Sequence, residues 1–150
     1  MRVVIQRVSE ASVEIEGEIQ ASIHRGFLIL LGIEESDSQE DALWLSNKIL
    51  SMRVFCDDMN KMNLDIQAVH GECLVVSQFT LHASTKKGNR PSFIRAARPE
   101  TAKPLYEQFL INLAERSGLV VKAGVFGADM KVALVNDGPV TIWMDSKNRE

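Results

Sequence analysis

The sequence predicts an α+β fold over residues 1–150 as a single domain: a largely antiparallel β-sheet or barrel packed by two main helices. Three observations carry that expectation. Runs of β-type residues, alternating or continuously apolar, outnumber the helical stretches. Only two segments show helical periodicity. Most connections are hairpin-length, with no internal repeat, low-complexity tract or linker to split the chain. At 150 residues, 45 % of them hydrophobic and 25 % charged, the chain has ordinary globular composition and enough length to bury a core.

Taken in order, Arg2 to Val8 alternates as a strand does. Ser12–Ile15 and Glu18–Ile23 place Val13, Ile15, Ile19 and Ile23 at alternate positions around Gly17, which reads as a hairpin. Phe27 to Gly32 is continuously apolar before its glycine, as expected of a strand buried on both faces. Ser38 can cap a helix whose first turn carries Glu40 and Asp41 and whose apolar face is Ala42, Leu45, Ile49 and Met52. Residues 57–71 read as loop with at most one short strand. Cys73 to Leu81 reads as a strand, and 82–92 as a polar, mobile loop. A second helix is expected from Pro99-Glu100 to about Arg116. Pro104 would sit in its first turn, Leu105, Phe109, Leu110 and Leu113 on its buried stripe, and Gly118 just past its end. Val120–Val125, Met130–Val135 and Val140–Asp145 read as three further strands.

The longest apolar run, Phe27 to Leu31, is far too short to cross a bilayer, and the N-terminus starts directly on strand pattern without a signal-peptide core. Cys56 and Cys73 form no disulfide framework and have no metal-ligand spacing, so both are expected reduced, in a cytoplasmic protein. Net charge is −3, but its distribution is uneven. No Asp or Glu occurs from Cys73 to Pro99, where Lys86, Lys87, Arg90, Arg95 and Arg98 lie. Five of the 17 Lys and Arg residues are therefore there, leaving 12 against all 20 acidic residues elsewhere. Such a patch suits a polyanion; a solvated loop and helix start is the plainer alternative.

Two motifs carry chemistry. Asn136-Asp137-Gly138-Pro139-Val140-Thr141 puts a Gly-Pro step between two β-type runs, where proline removes a ladder donor. Either Asp-Gly makes a hairpin turn, or the flanking strands hold the Gly-Pro pair so that two carbonyls are aimed in a direction ordinary strands cannot. Ser77-Gln78-Phe79-Thr80 ends a strand in polar groups suited to gripping a small polar ligand, with Gln78 and Thr80 on one face and Ser77 and Phe79 on the other. A solvent-facing strand end is the alternative.

Together these motifs resemble the paired signature of the D-aminoacyl-tRNA deacylase family. The opening Met1-Arg2-Val3-Val4-Ile5-Gln6-Arg7-Val8, the Arg90-Pro91-Ser92-Phe93 step and Gly124-Val125-Phe126-Gly127-Ala128-Asp129-Met130 are similar to it too. The likeness covers essentially the whole chain; Ala123 departs from it, standing where threonine is expected. The resemblance implies a homodimeric esterase that removes D-amino acids, and glycine, from the 3′-terminal adenosine of tRNA. It implies a cis Gly138-Pro139 motif inserted into the partner subunit's site, where its carbonyls hold the substrate's α-ammonium and an L side chain clashes. Arg7 would buttress the Gly-Pro carbonyls through its fork of donors, a strand-end surface charge being the plainer alternative, and Asn136 and Thr141 would support the motif. Ser77, Gln78, Phe79 and Thr80 would line the catalytic pocket, and Lys86, Lys87, Arg90, Arg95 and Arg98 would meet tRNA phosphates. No membrane or DNA partner, metal or other cofactor is implied.

For the chemistry itself, Thr80 is the candidate side-chain nucleophile, but a threonine hydroxyl needs a base. His82, two residues away on the same expected strand face, is the one tempting base. The other route is RNA-assisted: the ribose 2′-hydroxyl helps activate water while backbone N–H groups near Phe79 and Thr80 hold the oxyanion. Absence of an evident acid–base pair favours the second. The rival readings are an RNA-binding module, a small-metabolite hydrolase and a structural subunit; the first lacks aromatic interleaving, since only Phe79 and Phe93 lie in the basic segment.

Overall fold

A 14-residue strand, β1 (Arg2–Ile15), organises the sheet because it pairs with three others. Its first half runs antiparallel to β3 (Gly26–Gly32), and its second half to β2 (Glu18–Ile23) through the hairpin at Gly17. Along its other edge it pairs antiparallel with β8 (Lys131–Asp145). The computed structural model describes residues 1–149.

Beyond β3 the sheet continues with β6 (Glu72–Ser77) and β7 (Val121–Ala123), both parallel to their neighbours. Parallel pairing requires long crossovers, and α1 (Gln39–Ser51) and α2 (Pro99–Ser117) lie within them. A separate ribbon pairs β4 (Phe55–Cys56) with β5 (Met62–Leu64), the latter a short strand within the 57–71 loop. The sheet is thus mixed rather than uniformly antiparallel, and it curls until β2 and β7 approach, Lys122 donating to the Ser22 carbonyl at 2.6 Å. The result is a nearly closed α+β barrel with two helices packed outside it.

Two cores follow from strand alternation. Val8, Val13, Ile23, Leu28, Leu74 and Val76 point into the barrel. Phe27, Ile29, Leu31, Cys73 and Val75 point the other way, onto Leu45, Ile49, Tyr106, Phe109 and Leu113 of the helices. The continuous apolar run of β3 therefore has a physical reason, with burial on both faces worth roughly 1.5–3 kcal/mol per large side chain. Burial pushes the Cys73 thiol up to about 12, so it is inert, and pushes Tyr106 up too while its hydroxyl donates to the Val75 carbonyl at 2.9 Å.

Both helices begin and end near the expected places. Asp41 accepts from the N–H and hydroxyl of Ser38 at 2.8 and 3.0 Å, closing the start of α1, while Met52 is its C-cap rather than part of its face. Gly118 takes the left-handed cap of α2 at φ 65°. Pro104 lies in the second turn of α2, not the first, because the helix already starts at Pro99. Its buried residues are Ala102, Tyr106, Phe109 and Leu113, with Leu105 and Leu110 at the margins of the stripe.

Candidate active site

Two of the strand expectations change in ways that build the site. The strand entering Ser77-Gln78-Phe79-Thr80 stops at Ser77, and Phe79–His82 form a 3-10 turn. At about 120° per residue in such a turn, Thr80 and His82 point in different directions, so the shared strand face expected of them does not exist. Gly32, at the end of β3, makes room for the turn: a Cβ there would lie 2.9 Å from the Gln78 carbonyl and 2.9 Å from the Leu81 side chain. Gln78 N–H also donates to the Leu31 carbonyl at 2.7 Å. The turn is therefore laid directly on the end of the core strand.

Around it opens a pocket of about 380 Å³. Ser77, Gln78 and Phe79 line one side; Phe93, Ala96, Ala97 and Arg98 line the other; Phe126 and Gly127 close it. Phe79 and Phe93 meet edge to face at its mouth, ring centroids 5.1 Å apart at 77°, and Phe79 is 57 % exposed. Exposed aromatic faces beside a pocket are a stacking surface for a planar ligand. Phe126 packs on Tyr106 and forms a pocket wall that nothing local in the Gly124-to-Met130 sequence signals.

Thr80 does not line the pocket; its hydroxyl accepts a short hydrogen bond from the Gln78 side-chain amide. The turn's first bond is Leu81 N–H to the Gln78 carbonyl at 3.2 Å, so the N–H groups of Phe79 and Thr80 precede any partner within it. His82 is buried behind the turn, Nδ1 3.7 Å from Glu34, with no hydrogen bond at either ring nitrogen among the described residues. Burial holds its pKa below the ordinary imidazole value, leaving the ring neutral at neutral pH.

The Gly-Pro step is not a hairpin turn. β8 runs on through it, pairing Thr141 with Gln6 and Asn136 with Val8. Residues 137–140 therefore bulge outward opposite Arg7 alone, and the Gly138–Pro139 bond is cis. Asn136 ties the neck of the bulge, its amide donating to the carbonyls of Arg7 and Val140 at 3.2 and 3.0 Å. Arg7, nearly buried, donates from Nε to the Asp137 carbonyl at 3.0 Å, pairs with the Asp137 carboxylate at 3.3 Å, and reaches the Val54 carbonyl. Its contact is thus with Asp137 rather than with the carbonyls of Gly138 and Pro139. Thr141 accepts from Gln6 at 3.4 Å. Neither Gly138 nor Pro139 lines the pocket, so within one chain the two motifs are not brought together.

The basic segment divides. Lys86, Lys87 and Arg90 stand exposed on the loop closed by the Ser84–Ser92 bridge. Arg98 is on the pocket wall, and Arg95 is ion-paired with Glu34 at 2.9 Å. Glu34 comes from the end of β3, far away in sequence, so the patch is less purely basic than the sequence shows. Among the described residues no group of three or more His, Cys, Asp or Glu side chains could hold a metal, and no helix is long and apolar enough to cross a membrane.

Comparison with known proteins gives this geometry a context. The family described as D-Tyr-tRNA(Tyr) deacylase matches residues 4–145. Proteins named D-aminoacyl-tRNA deacylase from Bacteroides thetaiotaomicron and Flavobacterium johnsoniae are 61 % and 60 % identical over 150 residues, covering all of both chains. A solved structure titled c-Myc DNA Unwinding Element Binding Protein superposes with a TM-score of 0.92 at 41 % identity, covering 97 % of this chain and 98 % of that one. A probable eukaryotic D-amino acid tRNA deacylase shares the fold, with a TM-score of 0.83 at 16 % identity over 95 % of this chain and 97 % of that one.

Proposed function

Because this chain belongs to the D-Tyr-tRNA(Tyr) deacylase family and is a hydrolase of D-aminoacyl-tRNA, we propose that its pocket seats the 3′-terminal adenosine and that the ester is cleaved beside the Phe79–His82 turn. One observation carries this reading. Exposed aromatics, the backbone donors of the 3-10 turn and a guanidinium converge in the pocket built by Ser77-Gln78-Phe79, Phe93 and Arg98. The adenine stacks against Phe79 and Phe93, and Arg98 faces the phosphate.

An aminoacyl ester is already activated, so the protein must place a water and hold an oxyanion. The N–H groups of Phe79 and Thr80 supply the oxyanion donors. Thr80 has the Gln78 amide on its hydroxyl and no base bonded to it, which argues against an acyl-enzyme on Thr80. The ribose 2′-hydroxyl of the substrate then assists the attacking water, and the leaving group is the 3′-oxygen of the tRNA. No step requires a metal.

Selection falls to Gly138 and Pro139, whose carbonyls bind the α-ammonium and leave an L side chain pointing into the wall, while glycine passes. Since they lie away from their own chain's pocket, they act on the pocket of a second copy. β8 supports that arrangement: beyond β1 its other edge has no strand partner among the described residues, and Val135 and Trp143 are each 50 % exposed. Lys86, Lys87 and Arg90 lie on the acceptor stem and contribute affinity without sequence preference.

The test is hydrolysis of matched D-tyrosyl-, L-tyrosyl- and glycyl-tRNA at substoichiometric protein with no added metal. Loss of the D and glycyl esters with the L ester spared is expected. Equal cleavage of both hands would sink the selection argument, and tRNA binding without cleavage would leave a binding module.

A further inference from the structure

One carboxylate touches both walls of the pocket. Glu34 Oε2 accepts from Arg95 Nη2 at 2.9 Å, and the same oxygen lies 3.7 Å from His82 Nδ1. Arg95 belongs to the strap 93–98, which contributes Phe93, Ala96, Ala97 and Arg98 to the pocket; His82 ends the turn that contributes Phe79. The strap is also fastened by Ala97 N–H to the Ile33 carbonyl at 2.9 Å, by Arg98 N–H to the Glu35 carboxylate at 3.4 Å and by the Glu34–Ala96 bridge. Glu34 thus stands between turn and strap, bonded to the strap and close to the ring that ends the turn.

His82 is unusual at such a place. Its side chain is fully buried and both ring nitrogens lack a hydrogen-bond partner among the described residues. A buried polar ring with the Gly32 backbone alone against it costs free energy that an apolar side chain of similar size would avoid, so packing alone does not account for it. Its charged neighbours are few. From β1 comes the Arg2 guanidinium, which donates to the Leu81 carbonyl at 3.1 Å, and just before it the Met1 ammonium; from just beyond β3 comes Glu34. The two cations are themselves held elsewhere, Arg2 by Asp145 of β8 and Met1 by Asp37. Burial, Arg2 and the Met1 ammonium disfavour a proton on the ring, whereas the Gly32 backbone and, after it, Glu34 favour one. Beside the Gly32 backbone, Glu34 Oε2, 3.7 Å from Nδ1, is the side-chain acceptor to which a charged ring can turn.

We propose that His82 is a positioning residue: a proton taken from solvent at Nδ1 draws Glu34 Oε2 off Arg95 and onto the imidazolium, which frees the strap 93–98 and weakens capture of the substrate's 3′ end. The functional half of this inference rests on the pocket being the seat of that 3′ end; the link between His82, Glu34 and the strap does not.

Two measurements separate those halves. In the substrate-free protein, the His82 ring and the backbone amides of Ala96 and Ala97 are followed by NMR from about pH 8 to about pH 5. The strap amides are expected to titrate with the midpoint of His82, below that of a free imidazole. They are expected to lose that transition in His82→Leu, which removes the titrating ring and leaves the Glu34–Arg95 pair in place. In Glu34→Gln the amides should sit near their acid-form positions at every pH. Strap amides that ignore His82, or that titrate unchanged in His82→Leu, overturn the link whether or not any ester is cleaved.

In kinetics, the KM for D-tyrosyl-tRNA should rise several-fold toward the acid end in the native chain while kcat changes little. His82→Leu should flatten that rise, and Glu34→Gln should show a raised, pH-independent KM. A native acid limb retained in His82→Leu overturns the functional half. Absence of cleavage at every pH refutes the proposed function and leaves the NMR result to decide the link.

Discussion

Gly138 and Arg7 show how little latitude the bulge leaves at single positions. Gly138 has φ 127°, a conformation closed to L side chains, and a Cβ there would come within 2.6 Å of Arg7 Nη2. Gly138→Ala therefore meets backbone strain of about 1–3 kcal/mol and pushes Arg7 off the bulge. We expect a folded protein whose D-over-L preference collapses, read by hydrolysis of paired D- and L-tyrosyl-tRNA; retained preference would remove Gly138 from the selection step. Arg7 was legible as a motif residue, yet its target, the carbonyl and carboxylate of Asp137, was not, because pairing across β1 and β8 decides it. Glu34 was invisible altogether: nothing near Arg95 in sequence signals a carboxylate 61 residues away. His82 gives a second prediction at this scale. Its folded pKa lies below its unfolded value, so the unfolded chain binds the proton first as pH falls. Stability should decline from about pH 6.5 down to the folded pKa, by at most about 1.4 kcal/mol per pH unit, and then level off. Urea unfolding across that window should show the decline, and His82→Leu should abolish it.

Elements, rather than residues, explain where pattern reading stopped. The alternation of β1, β2 and β3 reports the faces they bury, and the two helices announce themselves by period and caps, so these were readable. The Ser77-to-Leu81 stretch was not, because a strand and a 3-10 turn share the same short polar composition; what breaks the strand is Gly32 underneath it. Gly32→Ala should lift the turn, since its Cβ meets the Gln78 carbonyl and the Leu81 side chain at 2.9 Å each. Activity should fall far more than stability, with kcat/KM for the D-ester and the melting temperature as the two readouts; equal losses would mean that the turn only packs. β8 misled for a related reason. Its Asp-Gly-Pro was open to reading as a hairpin, yet its two halves continue one ladder on β1, and Asn136 closes the bulge neck. Asn136→Ala leaves the Arg7 and Val140 carbonyls without that donor, at about 1–3 kcal/mol. Urea unfolding should show that loss, accompanied by weakened selection against the L-ester.

At the scale of the whole molecule, the two motifs that the sequence pairs are held apart within one chain, and that separation makes a definite prediction. The pocket is built on β6 and the start of α2, whereas the bulge projects from β8, whose outer edge lacks a strand partner among the described residues. If the bulge serves the pocket of a second copy, damage to each motif should complement. Phe79→Ala removes the aromatic wall of its own chain's pocket, and Gly138→Ala removes the bulge that this chain lends. In a two-fold dimer each variant alone has no complete site, because every pocket lacks either its wall or its visitor. Mixed by unfolding and refolding at equal amounts, the two variants form hybrid dimers in which one pocket receives an intact wall and an intact bulge. About a quarter of all sites should then recover selective D-ester hydrolysis, provided the copies exchange freely. Recovery of that order, absent when the same variants are mixed without refolding, would establish that the bulge works across the subunit boundary. No recovery from well-folded hybrids would return both motifs to a single chain and require β8 to bend its bulge back toward its own pocket.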